Sequence, residues 1–421
     1  DERITAQPDN PVEALLSIKV CDPACGSGHF LLAAARKLAE RLAALRSDDG
    51  VVTPYAYRHA LREVIARCIY GVDRNPMAIE LARTALWLEG FEEGRPLSFL
   101  DHHLQVGDAL LGLTDLNVLQ KGISKESFKP LAGDDKEVCK ALAKSNALAL
   151  KQIQRDLDSG QLSLAFGGEA GLQVLKSIEA MPAESTDEVR AKEEAYRQFL
   201  AQNDGSTVAH AADLFVAAFL TPKTSETAEQ VPTTAALIHE LSPHDKSEAH
   251  QALVANANAT CEAAYVFHWP LAFPQVFAMG GFDCVLANPP WEVSQMGEEE
   301  FFASRAAEIA VLQGNNRKKA IKELEKSNPQ LWSVFQKAGQ LIAATNTFYR
   351  ESSRFPLTAV GKLNTYPLFS ETILQIKSAT GRAGFIVPTG IATDDSTKLF
   401  FGHISQKGQL VSLFDIENKD A

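Results

Sequence analysis

No run of the 421-residue chain approaches the roughly 18 successive apolar residues that a membrane-spanning helix needs, so no membrane is expected among its partners. The opening residues Asp1, Glu2 and Arg3 carry neither the apolar core of a secretory leader nor an initiator methionine. The expectation is a cytoplasmic chain whose start has been trimmed. Cysteine is sparse and scattered: Cys21, Cys25, Cys68, Cys139, Cys261 and Cys284 form no Cys-x-x-Cys pair. Structural zinc spacings are absent, and a reduced environment is the simple reading. Positive charge is also short. Lys and Arg number 41 against 53 Asp and Glu, a net charge of −12. A chain whose whole surface grips nucleic acid is thereby excluded, although a local basic cleft is not. The remaining composition, 45% hydrophobic and 22% charged, is that of a globular protein of two or three domains.

Three regions differ in pattern. The first, 1–118, alternates short apolar runs at 17–21, 68–73 and 103–108 with helical periodicity at 28–46, 54–66 and 76–88. Alternation of that kind implies a parallel sheet with crossover helices. The second, 119–265, shows no convincing strand and carries 14 basic against 21 acidic residues, so much of the negative charge sits there. It reads as an all-helical insertion. The third, 266–421, returns to the α/β style, with strands expected at 281–287, 383–387 and 409–415 and helices at 298–326, 330–352 and 365–378.

The chemistry-bearing motifs fall at expected strand ends. The first is Asp22-Pro23-Ala24-Cys25-Gly26-Ser27-Gly28-His29-Phe30. A Gly-x-Gly turn between strand and helix lets the backbone approach a ligand closely, with helix-start N–H groups facing the crevice. A dinucleotide fingerprint would need a third glycine where Leu31 stands and an acid about 20 residues on; neither is present. Read blandly, it is a tight structural turn. At the second strand end, Asp73 can accept both ribose hydroxyls of a nucleoside cofactor, with Asn75 and Pro76 starting a helix. At the third, Asp108, followed by Ala109, can accept from an exocyclic amine of an adenine ring.

The fourth motif is the most telling. A buried strand ends in Ala287-Asn288-Pro289-Pro290-Trp291. Two prolines fix the backbone and remove two donors, which frees the carbonyls of Ala287 and Pro289. With the Asn288 side-chain oxygen they can accept both hydrogens of a planar amine, and Trp291 offers a flat face for a base. The plain alternative is a rigid turn with a core tryptophan.

On these residues the chain resembles the adenine-N6 DNA methyltransferases, and most nearly the large methylase or fused restriction–modification and phage-defence type. Asp22 to Phe30 match the family's S-adenosyl-L-methionine (AdoMet) motif, and Asn288-Pro289-Pro290-Trp291 its catalytic motif. The resemblance covers about 15–112 and 280–420. It implies an α/β class I methyltransferase fold, Rossmann-like with a mostly parallel twisted sheet, interrupted by the all-helical segment. The cofactor implied is AdoMet, held by Asp22, Pro23, Ala24, Gly26, Ser27, Gly28, Phe30, Asp73, Asn75, Asp108, Ala109 and Asn288. The catalytic group implied is Asn288, Pro289, Pro290 and Trp291, acting without a metal on an adenine flipped out of double-stranded DNA. Residues 384–390 and 414–418 resemble later structural motifs of the family. Because the acidic insertion is a poor surface for reading DNA, target recognition is expected C-terminal to Ala421, with further defence-system subunits as partners.

Two other readings stand beside this one: an AdoMet-dependent methyltransferase acting on RNA or a protein glutamine, and a catalytically silent scaffold of the same fold. Among residues outside the motifs, His102-His103 reads as a polar turn rather than a metal pair. Asn315 to Lys319 reads as a solvated helix face, with contact to DNA phosphate as the alternative, and the Phe348-Tyr349-Arg350 region with Arg354 has the same two readings.

Overall fold

The structure, a computed structural model, describes residues 2–47, 51–96, 99–158, 169–204 and 206–416. Five strands, β1 (Val20–Asp22), β2 (Ile69–Asp73), β3 (Leu104–Val106), β4 (Phe282–Ala287) and β5 (Lys377–Phe385), form one sheet in the order β3-β2-β1-β4-β5. Every pairing is parallel. The sheet and its flanking helices give the α/β, Rossmann-like arrangement that the strand–helix alternation predicts.

Local chemistry starts the crossover helices. Thr53 accepts from the Ala56 amide ahead of the helix Pro54–Cys68, and Asn75 accepts from the Met77 amide ahead of Pro76–Glu89. In both, proline occupies the first helical position, where its missing N–H leaves no bond unmade.

Both faces of the sheet are covered. On one, Leu31, Ala35 and Leu42 of the helix His29–Arg46, with Val64, Ile65 and Ile79, pack on Val20, Ile69 and Leu104. On the other, Cys21, Tyr70, Val72, Phe282 and Val285 meet Leu214, Phe215 and Phe219 of the helix Thr207–Leu220, together with Trp269, Phe273 and Phe348. That helix is apolar nearly all round because neighbours enclose it on every side. The 119–265 segment therefore supplies part of the helical layer on this face. Excising it would expose Tyr70, Val72, Phe282 and Val285 to water.

Three expectations change. The region 298–326 is not one helix but three, Glu298–Ala303, Ala307–Ala310 and Gly314–Ser327. The breaks let Phe301, Phe302 and Ile309 turn back onto Leu331, Trp332 and Phe335 in a small separate core. β5 begins at Lys377, earlier than its apolar run suggests, because a register shift against β4 between Phe282 and Cys284 accommodates Gly381 beside the Phe282 carbonyl. The segment 409–415 alternates like a strand but joins no strand among the described residues, and Val411 and Phe414 are 75% and 82% exposed. Residues 417 and 418 lie outside the described residues. His102 and His103 do sit in a turn ahead of β3, as expected, but the turn is buried, at 2% and 1% exposed.

Candidate cofactor and catalytic site

Parallel strands bring their carboxyl ends to one edge. Register pairs Asp22 with Gly71, Asp73 with Val106, and Cys21 with Val285. The residues that follow each strand thus emerge side by side, separated by roughly 4.8 Å per strand. The edge carries Asp108, Asp73, Asp22 and Asn288 in spatial order. The strand order reverses between β1 and β4, the switch point at which such sheets open a crevice.

The turn after β1 is built for close approach. Gly26 and Gly28 have φ of +52° and +85°, a conformation that residues with a Cβ rarely adopt. A Cβ on Gly26 would meet no atom within 4 Å, so the residue faces open space. A Cβ on Gly28 would come within 3.1 Å of Ala82, which locks the start of one helix against another. Ser27 and His29 bond to each other at 3.0 Å, Pro23 is buried, and Ala24 and Phe30 are half-buried.

The three acids differ in environment. Asp22 is 1% exposed and accepts from the Ala24 amide at 3.0 Å. Burial, opposed by that bond and reinforced by the nearby Asp73 charge, pushes its carboxyl up to about 7. Asp73 accepts from the Gly26 amide through one oxygen and from the Asn75 amide through the other, both at 2.9 Å. Asp108 accepts from the Leu110 amide at 3.0 Å and faces Arg74 at 3.7 Å. Burial raises its carboxyl above the usual range, opposed by the Arg74 charge. Its own amide donates to the carbonyl of Tyr265 at 2.7 Å, and Tyr265 takes a left-handed φ of +57°. The Ala109 carbonyl accepts from the Trp269 indole at 3.1 Å. Asn75 lies exposed at its helix cap.

The loop after β4 is held from outside. Asn288 and Pro290 are exposed, Pro289 is buried, and Trp291 is 51% exposed. The Ala287 carbonyl accepts from the Ile386 amide at 3.0 Å, so the expectation that it is free is corrected: β5 continues the ladder past the end of β4. The Pro289 carbonyl and the Asn288 side chain make no hydrogen bond among the described residues. Thr365 is the anchor that sequence reasoning missed. Its hydroxyl donates to the Pro290 carbonyl at 2.6 Å and accepts from the Glu292 amide at 2.9 Å. Its own amide donates to the Glu292 carbonyl at 2.8 Å. Ser294 and Asn346 hold the next stretch, with the Ser294 hydroxyl donating at 2.6 Å. Beside the loop lies a cavity of about 200 Å³ lined in part by Lys362, Tyr366 and Asp394.

Arg74 and Tyr265 were also missed. Arg74 carried a signal, since it follows the strand-end acid directly. Tyr265 carried none, because only the fold brings the end of the helical segment beside Asp108.

The sequence matches models of known protein families. The family model described as Eco57I restriction-modification methylase matches residues 67–349, running through the helical segment. A second model, the DNA-methyltransferase domain of MmeI, matches residues 7–122. Over 125 residues the chain is 31% identical to a Methanocaldococcus jannaschii protein described as a type II restriction enzyme and methyltransferase. That alignment covers 27% of this chain and 10% of the relative, so the chain spans only a small part of the relative's length. No solved structure matches. With the first match extending over well more than half of its length, the chain belongs to the Eco57I restriction-modification methylase family.

Proposed function

We propose that the protein is a DNA adenine-N6 methyltransferase, transferring a methyl group from AdoMet to an adenine swung out of the duplex. The observation that carries this reading is the juxtaposition, along one edge of the sheet, of a glycine turn with three strand-end acids and an Asn-Pro-Pro-Trp loop.

The residues present fit the cofactor. Gly26 faces open space where a side chain would project, which leaves room for a ligand against the backbone. The carboxyl of Asp22, buried and raised, gains from a cation placed beside it. Asp22, Gly26 and Gly28, with Pro23, Ala24, Ser27 and Phe30 around them, would hold the methionine end. Asp73 would accept from the ribose, with Asn75 next to it, and Asp108 with Ala109 would meet the adenine. When bound, the cofactor supplies an electrophilic methyl on a sulfonium.

The chain's own residues then act on the target amine. Its lone pair is delocalised into the base ring, so it is a poor nucleophile. Asn288 Oδ1 and the Pro289 carbonyl are two acceptors for two N–H bonds. Accepting both lets the nitrogen move toward tetrahedral geometry and point its lone pair at the crevice. Trp291, half-exposed, stacks on the base that has left the helix. Thr365, bonded to the Pro290 carbonyl, keeps the acceptors in place. The work is positioning and electrostatic preorganisation, with no covalent enzyme intermediate.

The test is to incubate the protein with methyl-labelled AdoMet and, separately, DNA, RNA and protein substrates. Label on the adenine N6 of DNA supports the reading. Label confined to RNA or to protein glutamine overturns it.

A further inference from the structure

A second polar site lies away from the crevice, under the sheet face covered by the helical segment. Among the described residues, His102 Nδ1, His103 Nδ1 and Glu179 Oε1 are buried atoms that lack a hydrogen bond, and the three residues stand together. Beside them the Tyr70 hydroxyl and the Gln275 amide are partners for each other. The two imidazoles pack ring to ring at 4.0 Å, and His103 lies over Tyr70 at 3.9 Å. Glu179 Oε1 stands 3.9 Å from His103 Nε2. Potential ligand atoms of His102, His103 and Glu179 all fall within 4.8 Å of one another.

Buried polar atoms are almost always paired, and a concentration of unmade bonds calls for a missing partner. Lys19 and Lys192 stand near the pair. Neutral imidazoles present the lone pairs that a metal uses and a proton would block. The lysines count against a cation by repulsion. However, Lys192 is spent on the Glu179 carbonyl at 3.0 Å and Lys19 on the Arg67 carbonyl at 2.8 Å, and the Glu179 charge opposes them.

We propose that His102, His103 and Glu179 bind one divalent transition-metal ion of the zinc class, with Tyr70 or Gln275 oxygen, or a water, as the fourth ligand. Two imidazoles and a carboxylate are a common donor set for zinc, and bond lengths of roughly 2.0–2.2 Å bring tetrahedral ligand atoms to roughly 3.3–3.6 Å. Binding therefore draws the three side chains together by about an ångström. The ion ties the lead-in to β3 to the helix Glu169–Glu179, two parts of the fold that no covalent link joins. The Glu179 side chain, 24% exposed, marks the way in. The role is structural, and it is independent of the methyl-transfer reading.

The test uses the whole protein, stripped with a chelator and titrated with cobalt(II) as a visible probe and with zinc(II). The expected result is one cobalt per chain, with the intense visible bands of tetrahedral coordination and no thiolate charge-transfer band. Zinc should displace the cobalt and raise the melting temperature. Glu179→Gln, at a half-exposed position, should fold as judged by circular dichroism and weaken cobalt binding at least tenfold. His102→Ala should abolish it. If the histidine variant does not fold, Glu179→Gln and the wild-type spectrum decide. Absence of the visible bands, a thiolate band showing cysteine ligation, or unchanged binding by Glu179→Gln would each overturn the site.

Discussion

The carboxylate of Asp73 accepts the amide of Gly26 at 2.9 Å, joining the tip of β2 to the glycine turn after β1. The acid expected on the cofactor's ribose therefore also shapes the loop expected to hold its methionine end. Asp73→Ala should weaken AdoMet binding by on the order of 1–3 kcal/mol, since both a ligand acceptor and a turn acceptor are lost. Asp73→Asn, which keeps one acceptor oxygen, should weaken it less. Calorimetry finding equal affinity in a folded Asp73→Ala protein would remove this residue from the site.

Asp22 makes stability depend on pH in an unusual direction. An unfolded aspartate titrates near roughly 3.9, whereas in the fold Asp22 titrates at about 7. Between those values the native state keeps a proton that the unfolded chain releases, so the group's contribution falls as pH rises through the window. Without cofactor, Asp22→Asn should melt above the wild type at alkaline pH, and the gap should narrow on acidification toward pH 5. A wild type that melts higher than Asp22→Asn at alkaline pH refutes the assignment. Because a bound cation favours the ionised form, AdoMet uptake near neutral pH should release protons, detectable by calorimetry in buffers of different ionisation enthalpy.

Much of this was legible in the chain. β1 and β2 are buried on both faces, so they read as continuous apolar runs, and all four motifs sit where the pattern places strand ends. What was not legible depends on partners distant in sequence. Thr365 reaches Pro290 across 75 residues, and nothing local distinguishes it from a helix-start threonine. His102 and His103 sit in the turn that the sequence suggests, but nothing local shows that the turn is buried with Glu179 beside it. The breaks in 298–326 follow from Phe302 stacking on Phe335, a contact that periodicity does not reveal.

Thr365 separates positioning from binding. Thr365→Val keeps the shape and removes the bonds to the Pro290 carbonyl and the Glu292 amide. The methyl-transfer rate should fall roughly tenfold, about 1.4 kcal/mol of barrier, with AdoMet affinity unchanged. Thr365→Ser should restore most of the rate. If affinity and rate fall together, the residue supports the fold at large rather than the loop.

Capture of the flipped base should rest on Trp291. Trp291→Ala should weaken DNA binding to a substrate carrying an unpaired target by roughly 1–3 kcal/mol, the usual stacking range, and Trp291→Phe should be milder. Fluorescence of a base analogue at the target position reads this directly. Equal binding by all three proteins would leave the exposed indole without the proposed role.

The most direct test of methyl transfer to adenine compares the wild type with Asn288→Ala, using methyl-labelled AdoMet, double-stranded DNA and mass spectrometry of the digested nucleosides. The expected result is labelled N6-methyladenine from the wild type and none from Asn288→Ala, while both bind AdoMet with similar affinity. Label on cytosine, or N6-methyladenine formed at the wild-type rate by Asn288→Ala, would contradict it.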